Sequence, residues 1–320
     1  MKRMRLPELA SFLACPECGA EIKAVEQAVV CIDCKSSFGM FRNCPVLLSQ
    51  SNELFQPSSY VQDEFKEPPI DKPAGIKRKL KRLIPKKSIN LARDNMFQRL
   101  SKNLGSGHTS VLVVGCGNQT KQLERHFPQD NVLFVFCDID KQADADVFCD
   151  SHALPFKSEV FDGVVSTAVM EHVLYPEKAI AEIHRVMNKD GLIYSEIPFL
   201  QSVHEGAYDF TRFTMSGHRR LLEGFEEIDS GMVAGPGTAL TWSIVDFFKG
   251  LTRNQKISSL LSIAARIVFF WLKYIDHLVK NNPAAIDAAS CTYFYGSKKP
   301  VHTRPSAIVK RYEGQTFGHV

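Results

Sequence analysis

The chain has 320 residues, is 44% hydrophobic and carries a formal net charge of +4 at pH 7. This is ordinary globular composition, with room for a small module and one α/β domain, and so mild a charge demands no polyanionic partner. Lys2, Arg3 and Arg5 are followed by no apolar run before Pro7 and Glu8, so no secretory leader is expected, and no uncharged segment reaches the roughly eighteen apolar residues of a membrane span.

The first chemical signal is Cys15-Pro16-Glu17-Cys18 followed by Cys31-Ile32-Asp33-Cys34, two C-x2-C pairs separated by twelve residues. Four thiolates so spaced reach the corners of a tetrahedron, the geometry of closed structural zinc sites. One such pair alone would also suit redox chemistry. Two in a short module, in a chain read as cytoplasmic, favour Cys15, Cys18, Cys31 and Cys34 as metal ligands. Glu21–Lys23 and Val29–Val30 read as the strands of a hairpin between the pairs. With Phe38–Leu48 trailing it, residues 11–49 resemble the Trm112-like zinc-ribbon family. That family usually has Gly-Ile-Pro where Asn43-Cys44-Pro45 stands here, so Cys44 reads as a packed apolar substitute and not as a fifth ligand.

Residues 50–106 read as a linker with Pro57, Pro68 and Pro69, a basic segment and a helix over Ser88–Asn103. Lys77–Lys87 carries seven positive charges and no acid in eleven residues. It is either a solvated face or a contact for an anionic membrane surface or RNA.

Residues 107–235 carry a string of ordered motifs. The run Val111–Val114 reads as a buried parallel strand, broken by Gly115-Cys116-Gly117 and resumed as a helix over Thr120–Arg125. A second strand, Val132–Cys137, ends at Asp138. After it come Asp150-Ser151-His152-Ala153-Leu154-Pro155-Phe156, the strand Phe161–Thr167 and Met170-Glu171-His172-Val173. A helix over Pro176–Met187 follows, then Asp190-Gly191 turning into the strand Leu192–Phe199. Glycines after a first strand let a ligand approach the backbone, and an acid after the second accepts hydrogen bonds from ribose hydroxyls.

These motifs together resemble the class I S-adenosylmethionine (SAM)-dependent methyltransferases, with Cys291–Lys298 returning as the family's final antiparallel strand. The resemblance implies an α/β fold: a Rossmann-like, mostly parallel sheet, preceded here by the zinc ribbon. It also implies that Gly115, Cys116 and Gly117 pass under the methionine portion of SAM. Asp138, with Ile139 beside it, would hold the ribose, and Asp150 the adenine amine, with Ala153 and Leu154 lining the base. Ser166 and Thr167 would sit beside the sulfonium. Val113 stands where the family commonly has an acid, and Gln119 where it has a third glycine.

The loop after the strand ending at Phe199 contains His204, Asp209 and Arg212 among aromatics. Ligands of open α/β sheets sit beyond the carboxyl ends of the strands, so His204 is the candidate general base there. Asp209 and Arg212 either join it at the acceptor or simply pair with each other. The stretch resembles the H-x4-D-x2-R-F-T segment of methyltransferase-domain proteins associated with cell-surface glycan biosynthesis. Residues 236–285 read as a helical insert or lid, 286–300 as the final core strand and 301–320 as a tail. Within the insert Ile257, Leu261, Ala264, Val268, Trp271, Ile275 and Leu278 mark one helical face, and Ser259, Arg266, Lys273 and Lys280 the other. The expectation is a helix packed on the domain; the alternative is one lying on a membrane surface or a partner.

The leading functional reading is SAM-dependent methyl transfer to a small-molecule or glycan-type acceptor at oxygen, in a cytoplasmic protein that is peripheral at most to a membrane. The alternatives are an RNA methyltransferase and a non-catalytic docking module. Against RNA base amines, Ser166-Thr167-Ala168-Val169 replaces the N/D-P-P-Y signature of those enzymes. There is no Pro-Cys nucleophile for pyrimidine carbon either. The oligomeric state is not legible.

Overall fold

The computed structural model describes residues 6–25, 28–61, 84–105, 107–118, 122–123, 125–127, 132–299 and 303–314. A short helix, α1 (Leu6–Ala10), precedes three antiparallel strands, β1 (Ile22–Val25), β2 (Ala28–Cys31) and β3 (Ser37–Phe38), and the pair β4 (Met40–Phe41) and β5 (Cys44–Pro45). The hairpin expected between the cysteine pairs is present, with Ile22 opposite Cys31 and Val25 opposite Ala28. It brings Cys15 Sγ within 3.7 Å of Cys34 Sγ, and Cys18 Sγ within 3.5 Å of Cys31 Sγ. Thiolates about 2.3 Å from a tetrahedral ion lie about 3.8 Å apart, so the four sulfurs fit one. Cys44 is outside the cluster and donates its thiol to Ala145 O at 3.3 Å.

This N-terminal module shares its core with the rest of the chain. Leu13, Ile22, Val29, Phe38 and Leu47 form one buried cluster with Leu112, Val114 and Phe156. Leu13 bridges to Phe156 and Val46 to Phe148, and Phe12 stacks on Phe161 with centroids 5.4 Å apart. The segment that follows folds back as well: α2 (Ser58–Val61) sets the Tyr60 ring 5.7 Å from Phe148. Lys77–Leu83 of the basic segment, Gln119 and most of the helix expected over Thr120–Arg125 lie outside the described residues.

The next helix, α3 (Arg93–Asn103), is shorter than the expected Ser88–Asn103. Asn90 Oδ1 accepts from the amides of Ala92 and Arg93 at 3.1 and 2.7 Å and so starts the helix late. The main sheet is built from β6 (Thr109–Val114), β7 (Val132–Asp138), β8 (Val147–Phe148), β9 (Phe161–Thr167), β10 (Met187–Pro198), β11 (Phe225–Ala234) and β12 (Cys291–Lys298), in the spatial order β11-β12-β10-β9-β6-β7-β8. Every pairing from β8 to β10 is parallel. β12 is inserted antiparallel between β10 and β11. Successive residues of β6 go to opposite faces, Leu112 and Val114 to one core cluster, Val111 and Val113 to the other. The first face is covered by α4 (Pro176–Val186) through Ala179, Ile180, Ile183 and Val186, the second by α3 through Met96, Phe97 and Leu100. β10 begins at Met187, five residues before the expected Leu192, and shifts register between the two around Asp190, whose φ is 61°.

Beyond α5 (Met215–Leu221) and β11, the insert forms two packed helices, α6 (Pro236–Gly250) and α7 (Gln255–Phe269), followed by the helical turns Leu272–Ile275 and Asp276–Val279. Most of the expected lid face does not pack down: Ile257, Ala264, Val268, Trp271 and Leu278 are exposed and Leu261 and Ile275 half-buried, whereas Ala265, Leu272, Lys273 and Asp276 are buried. The reason is Asp276, which anchors the opposite side. Its carboxylate accepts from Gly235 N, Gly237 N, Thr238 N and Thr238 Oγ1 at 3.0, 2.7, 3.1 and 2.6 Å. The approach is close enough that a Cβ on Gly237 would collide with Leu272 O.

Candidate functional site

The chain leaves β6 towards β7 on one side and returns to β9 on the other, so the carboxyl ends of these strands border a crevice. At the end of β6, Gly115 and Gly117 both take left-handed backbone, with φ of 63° and 49°. A Cβ on Gly115 would collide with the Val169 side chain, whereas Gly117 faces open space. Gly117 N donates to Asp138 Oδ2 at 2.7 Å, and Ile139 N and Asp140 N donate to Oδ1 at 2.7 and 2.9 Å. Burial raises the Asp138 pKa, against the pull of those three amides. Of the carboxylate's roughly four lone-pair sites one is left, on Oδ2, for a further donor. The Cys116 thiol is buried, and its amide donates to Cys137 O at 3.2 Å, so only its backbone borders the crevice. At the tip of β9, Ser166 is 1% exposed and its hydroxyl has no partner among the described residues, with Thr167 buried beside it. An orphaned hydroxyl, an open glycine turn and a carboxylate with one lone pair to spare fit a nucleoside cofactor.

Asp150 is held on both oxygens. Asn52 Nδ2 lies 2.7 Å from Oδ2, and His152 N and Nδ1 lie 2.9 and 2.6 Å from Oδ1. Burial works against ionisation, but the His152 hydrogen bonds outweigh it and lower the pKa. Ala153 is exposed, and Leu154 packs into the core. Sequence reasoning missed Asn52 and also Tyr60, whose hydroxyl donates to Ile139 O. Both lie in what reads as linker, and only tertiary folding brings them to the ends of β7 and β8.

The acceptor side is built by the turn after β9 and the loop after β10. Glu171 is fully buried, and both its carboxylate oxygens lack a hydrogen-bond partner among the described residues. His172 Nε2 and His204 Nε2 lie 3.6 and 3.7 Å from Glu171 Oε1 and 3.2 Å from each other. His172 Nδ1 is 2.9 Å from Tyr208 O, and His204 Nδ1 is 3.3 Å from Ser202 O. With both Nδ1 atoms donating to carbonyls, the two Nε2 atoms turn bare lone pairs towards each other, so the pair can take up one proton and share it. Glu171 raises the His204 pKa above its usual 6.5, against burial. Glu171 and His172 stood in the sequence only as part of a family motif; an acid-histidine pair directly after a strand end was the available signal.

Asp209 and Arg212 brace this loop. Arg212 pairs with the Asp209 carboxylate and donates to Gln201 O at 3.0 Å and Ser202 O at 3.3 Å. Asp209 Oδ2 accepts from His204 N at 2.7 Å. Burial opposes ionisation of Asp209, but Arg212 holds its pKa down. Of the two readings of Arg212, the structure has the pairing with Asp209, and the guanidinium is also committed to the backbone around His204. Trp242 of α6 closes the other side, its ring 6.4 Å from His204, and a cavity of about 240 Å³ near Arg219, Glu227 and Tyr312 shares no lining residue with this site.

Residues 112–195 match the profile of a family described as "Methyltransferase domain". No match was found among curated proteins. Among solved structures, Haemonchus contortus phosphoethanolamine N-methyltransferase 2 is 14% identical with a TM-score of 0.41, over 65% of this chain and 53% of that one. The [4+2]-cyclase SpnF is 16% identical at 0.39, over 65% and 81%. MccD is 14% identical at 0.42, over 66% and 100%. The chain thus spans about half the length of the first, and superpositions this loose say nothing of activity. Residues 112–195 thus match a methyltransferase-domain profile and lie within a mostly parallel, Rossmann-like sheet with antiparallel strands at its β11–β12 edge.

Proposed function

We propose that the chain is a SAM-dependent methyltransferase acting on an oxygen of a small-molecule or glycan-type acceptor, with His204 as proton acceptor. The observation that carries this reading is the turn after β9. It presses Val169 onto Gly115 and, two residues on, sets Glu171 and His172 against His204. Cofactor cradle and proton-holding cluster are therefore adjoining parts of one crevice. Gly115, Gly117, Asp138, Ile139, Ser166 and Thr167 would hold SAM, with Asp150 at its adenine end. When bound, SAM supplies a methyl group already activated by its sulfonium. The protein's own task is alignment, exclusion of water and removal of the acceptor proton. His204 Nε2 takes that proton, and buried Glu171 stabilises the resulting imidazolium. Asp209 and Arg212 act through His204 by fixing its loop. We assign the four-thiolate cluster to structural zinc, which closes the N-terminal module and does no chemistry.

The test is calorimetric titration of the zinc-loaded full chain with SAM and its demethylated product, followed by labelled methyl transfer to glycans, small alcohols and RNA. Binding should be lost in Asp138→Ala. His204→Gln should bind SAM normally and turn over about a hundredfold more slowly. Absence of SAM binding in folded wild type would leave a docking module. Methylation confined to RNA would replace the acceptor assignment. Turnover that a chelator abolishes and added divalent ions restore, in protein keeping its zinc, would make the Glu171 cluster an ion seat and end the proton-acceptor role.

A further inference from the structure

The helical run Gln255–Val279 is long and apolar enough to cross a bilayer by length and composition, yet little of it is buried. At helical spacing Leu260, Ile267, Trp271, Tyr274 and Leu278 share one side, and that side faces out: Leu260 is 67%, Trp271 52% and Leu278 84% exposed. On α6, Phe247 is 64% exposed, and Leu251 just beyond it is exposed too. A globular helix turns such a stripe inwards. Scattered exposed apolar residues are normal, but a contiguous patch marks an interaction surface.

Three ties hold this run along the protein and not across a membrane. Asp276 is locked into the first turn of α6. Arg266 donates to Pro85 O at 2.9 Å, and Lys273 to Lys86 O. The last two ties dock the end of the basic segment onto the hairpin, and Lys87 lies over the Trp242 ring, 3.0 Å from its centroid. The end of the basic run, Pro85–Lys87, and the apolar insert are separate in sequence and thus meet in one place. Residues 236–282 add six basic side chains against two acids. Of those acids Asp276 is buried, and Asp246 lies 3.3 Å from Lys249 and 4.0 Å from Lys87.

We propose that the α6–α7 hairpin, with the basic segment anchored on it, docks the protein on an anionic phospholipid surface. The exposed stripe would enter the boundary between headgroups and acyl chains, and the surrounding lysines and arginines would pair with lipid phosphates. The excess of positive charge around the stripe selects a membrane over a second copy of the chain, whose identical charges would repel. Trp242 links this surface to His204. The docked protein therefore presents its acceptor side close to the bilayer, where acceptors carried on lipid would lie; this last step rests on the methyl-transfer reading, whereas the docking does not.

The test is co-sedimentation of the full chain with phosphatidylcholine vesicles, with and without phosphatidylglycerol. Binding is expected to the anionic vesicles and to weaken as salt rises. It should fall about tenfold or more in a Leu260→Glu, Trp271→Glu, Leu278→Glu variant and, separately, in Lys249→Glu, Arg253→Glu, Lys256→Glu. Because all these side chains are exposed, the variants should keep the wild-type circular dichroism spectrum and SAM affinity. The proposal is overturned by sedimentation that vesicles do not change, by binding that the apolar variant retains, or by a stable dimer that the apolar variant splits. RNA binding through the same cations, with vesicles ignored, overturns it equally.

Discussion

Asp276→Ala perturbs the contact on which the placement of the insert depends. The carboxylate accepts four hydrogen bonds, three from backbone amides at the start of α6 and one from the Thr238 hydroxyl. Asp276 and Thr238 are fully buried. A hydrogen bond to a charged group is worth about 1.5–3 kcal/mol, but the four are not additive, because burying the charge costs part of the gain. Breaking a buried charged network by removing one partner costs about 3–5 kcal/mol. A water admitted to the vacated space would satisfy some donors and bring the loss towards the lower figure. Hydrogen exchange read residue by residue on the full chain is the right assay, since a chain of this size need not unfold in one step. The amides of Gly237 and Thr238 should lose protection by about a hundredfold, the equivalent of about 3 kcal/mol. Exposure of α7 should increase with them, while β6 and β9 keep their protection. Asp276→Asn should be intermediate, since an amide keeps one acceptor and turns a donor towards the other N–H groups. Unchanged protection in Asp276→Ala would refute the claim that this carboxylate tethers the insert.

Three further outcomes follow from the site and the N-terminal module. His204 is faced by Glu171 and His172 from the turn after β9, by Asp209 with its partner Arg212 on its own loop, and by Trp242 from α6. Glu171 raises its pKa, so the acid limb of the pH–rate profile should lie above pH 6.5 and move to lower pH in Glu171→Gln, a displacement that a purely structural role would not produce. The same sign means that the stabilisation from protonated His204 is complete below pH 6.5 and lost as pH rises through its raised pKa. Gly115→Ala must place a Cβ against Val169 in left-handed backbone. It should cost about 1–2 kcal/mol of backbone strain plus a packing clash and weaken SAM binding at least about tenfold; Gly115→Ala with Val169→Ala should recover part of that loss in calorimetry. Chelation, or Cys15→Ser, should lower the melting temperature of the whole chain by several degrees in scanning calorimetry. Leu13, Ile22 and Phe38 belong to the core that also contains Leu112 and Phe156. A melt that leaves the main transition unmoved would mean the module is energetically separate.

Continuous apolar runs and their spacing in the sequence determined the sheet. Val111–Val114 and Val132–Cys137 are short apolar runs that stop at turn residues, the length and flanks of buried strands, and a parallel sheet must be crossed over by helices such as α4. Local chemistry also fixed the turns at Gly115-Cys116-Gly117, the Asp138 terminus and the cysteine hairpin, because left-handed backbone, amide-accepting carboxylates and C-x2-C pairs act over a few residues. Three features were decided by tertiary structure. The sequence left Arg212 open between binding an acceptor and pairing with Asp209, and the fold of its loop commits it to Asp209 and the backbone around His204. Asn52 and Tyr60 sit in what reads as linker, and they reach Asp150 and Ile139 across 98 and 79 residues of chain. The apolar stripe of the insert was legible as a stripe, but not which way it faces. A helical period records that one side is apolar; it takes a carboxylate anchored on the opposite side, here Asp276, to turn that side outwards.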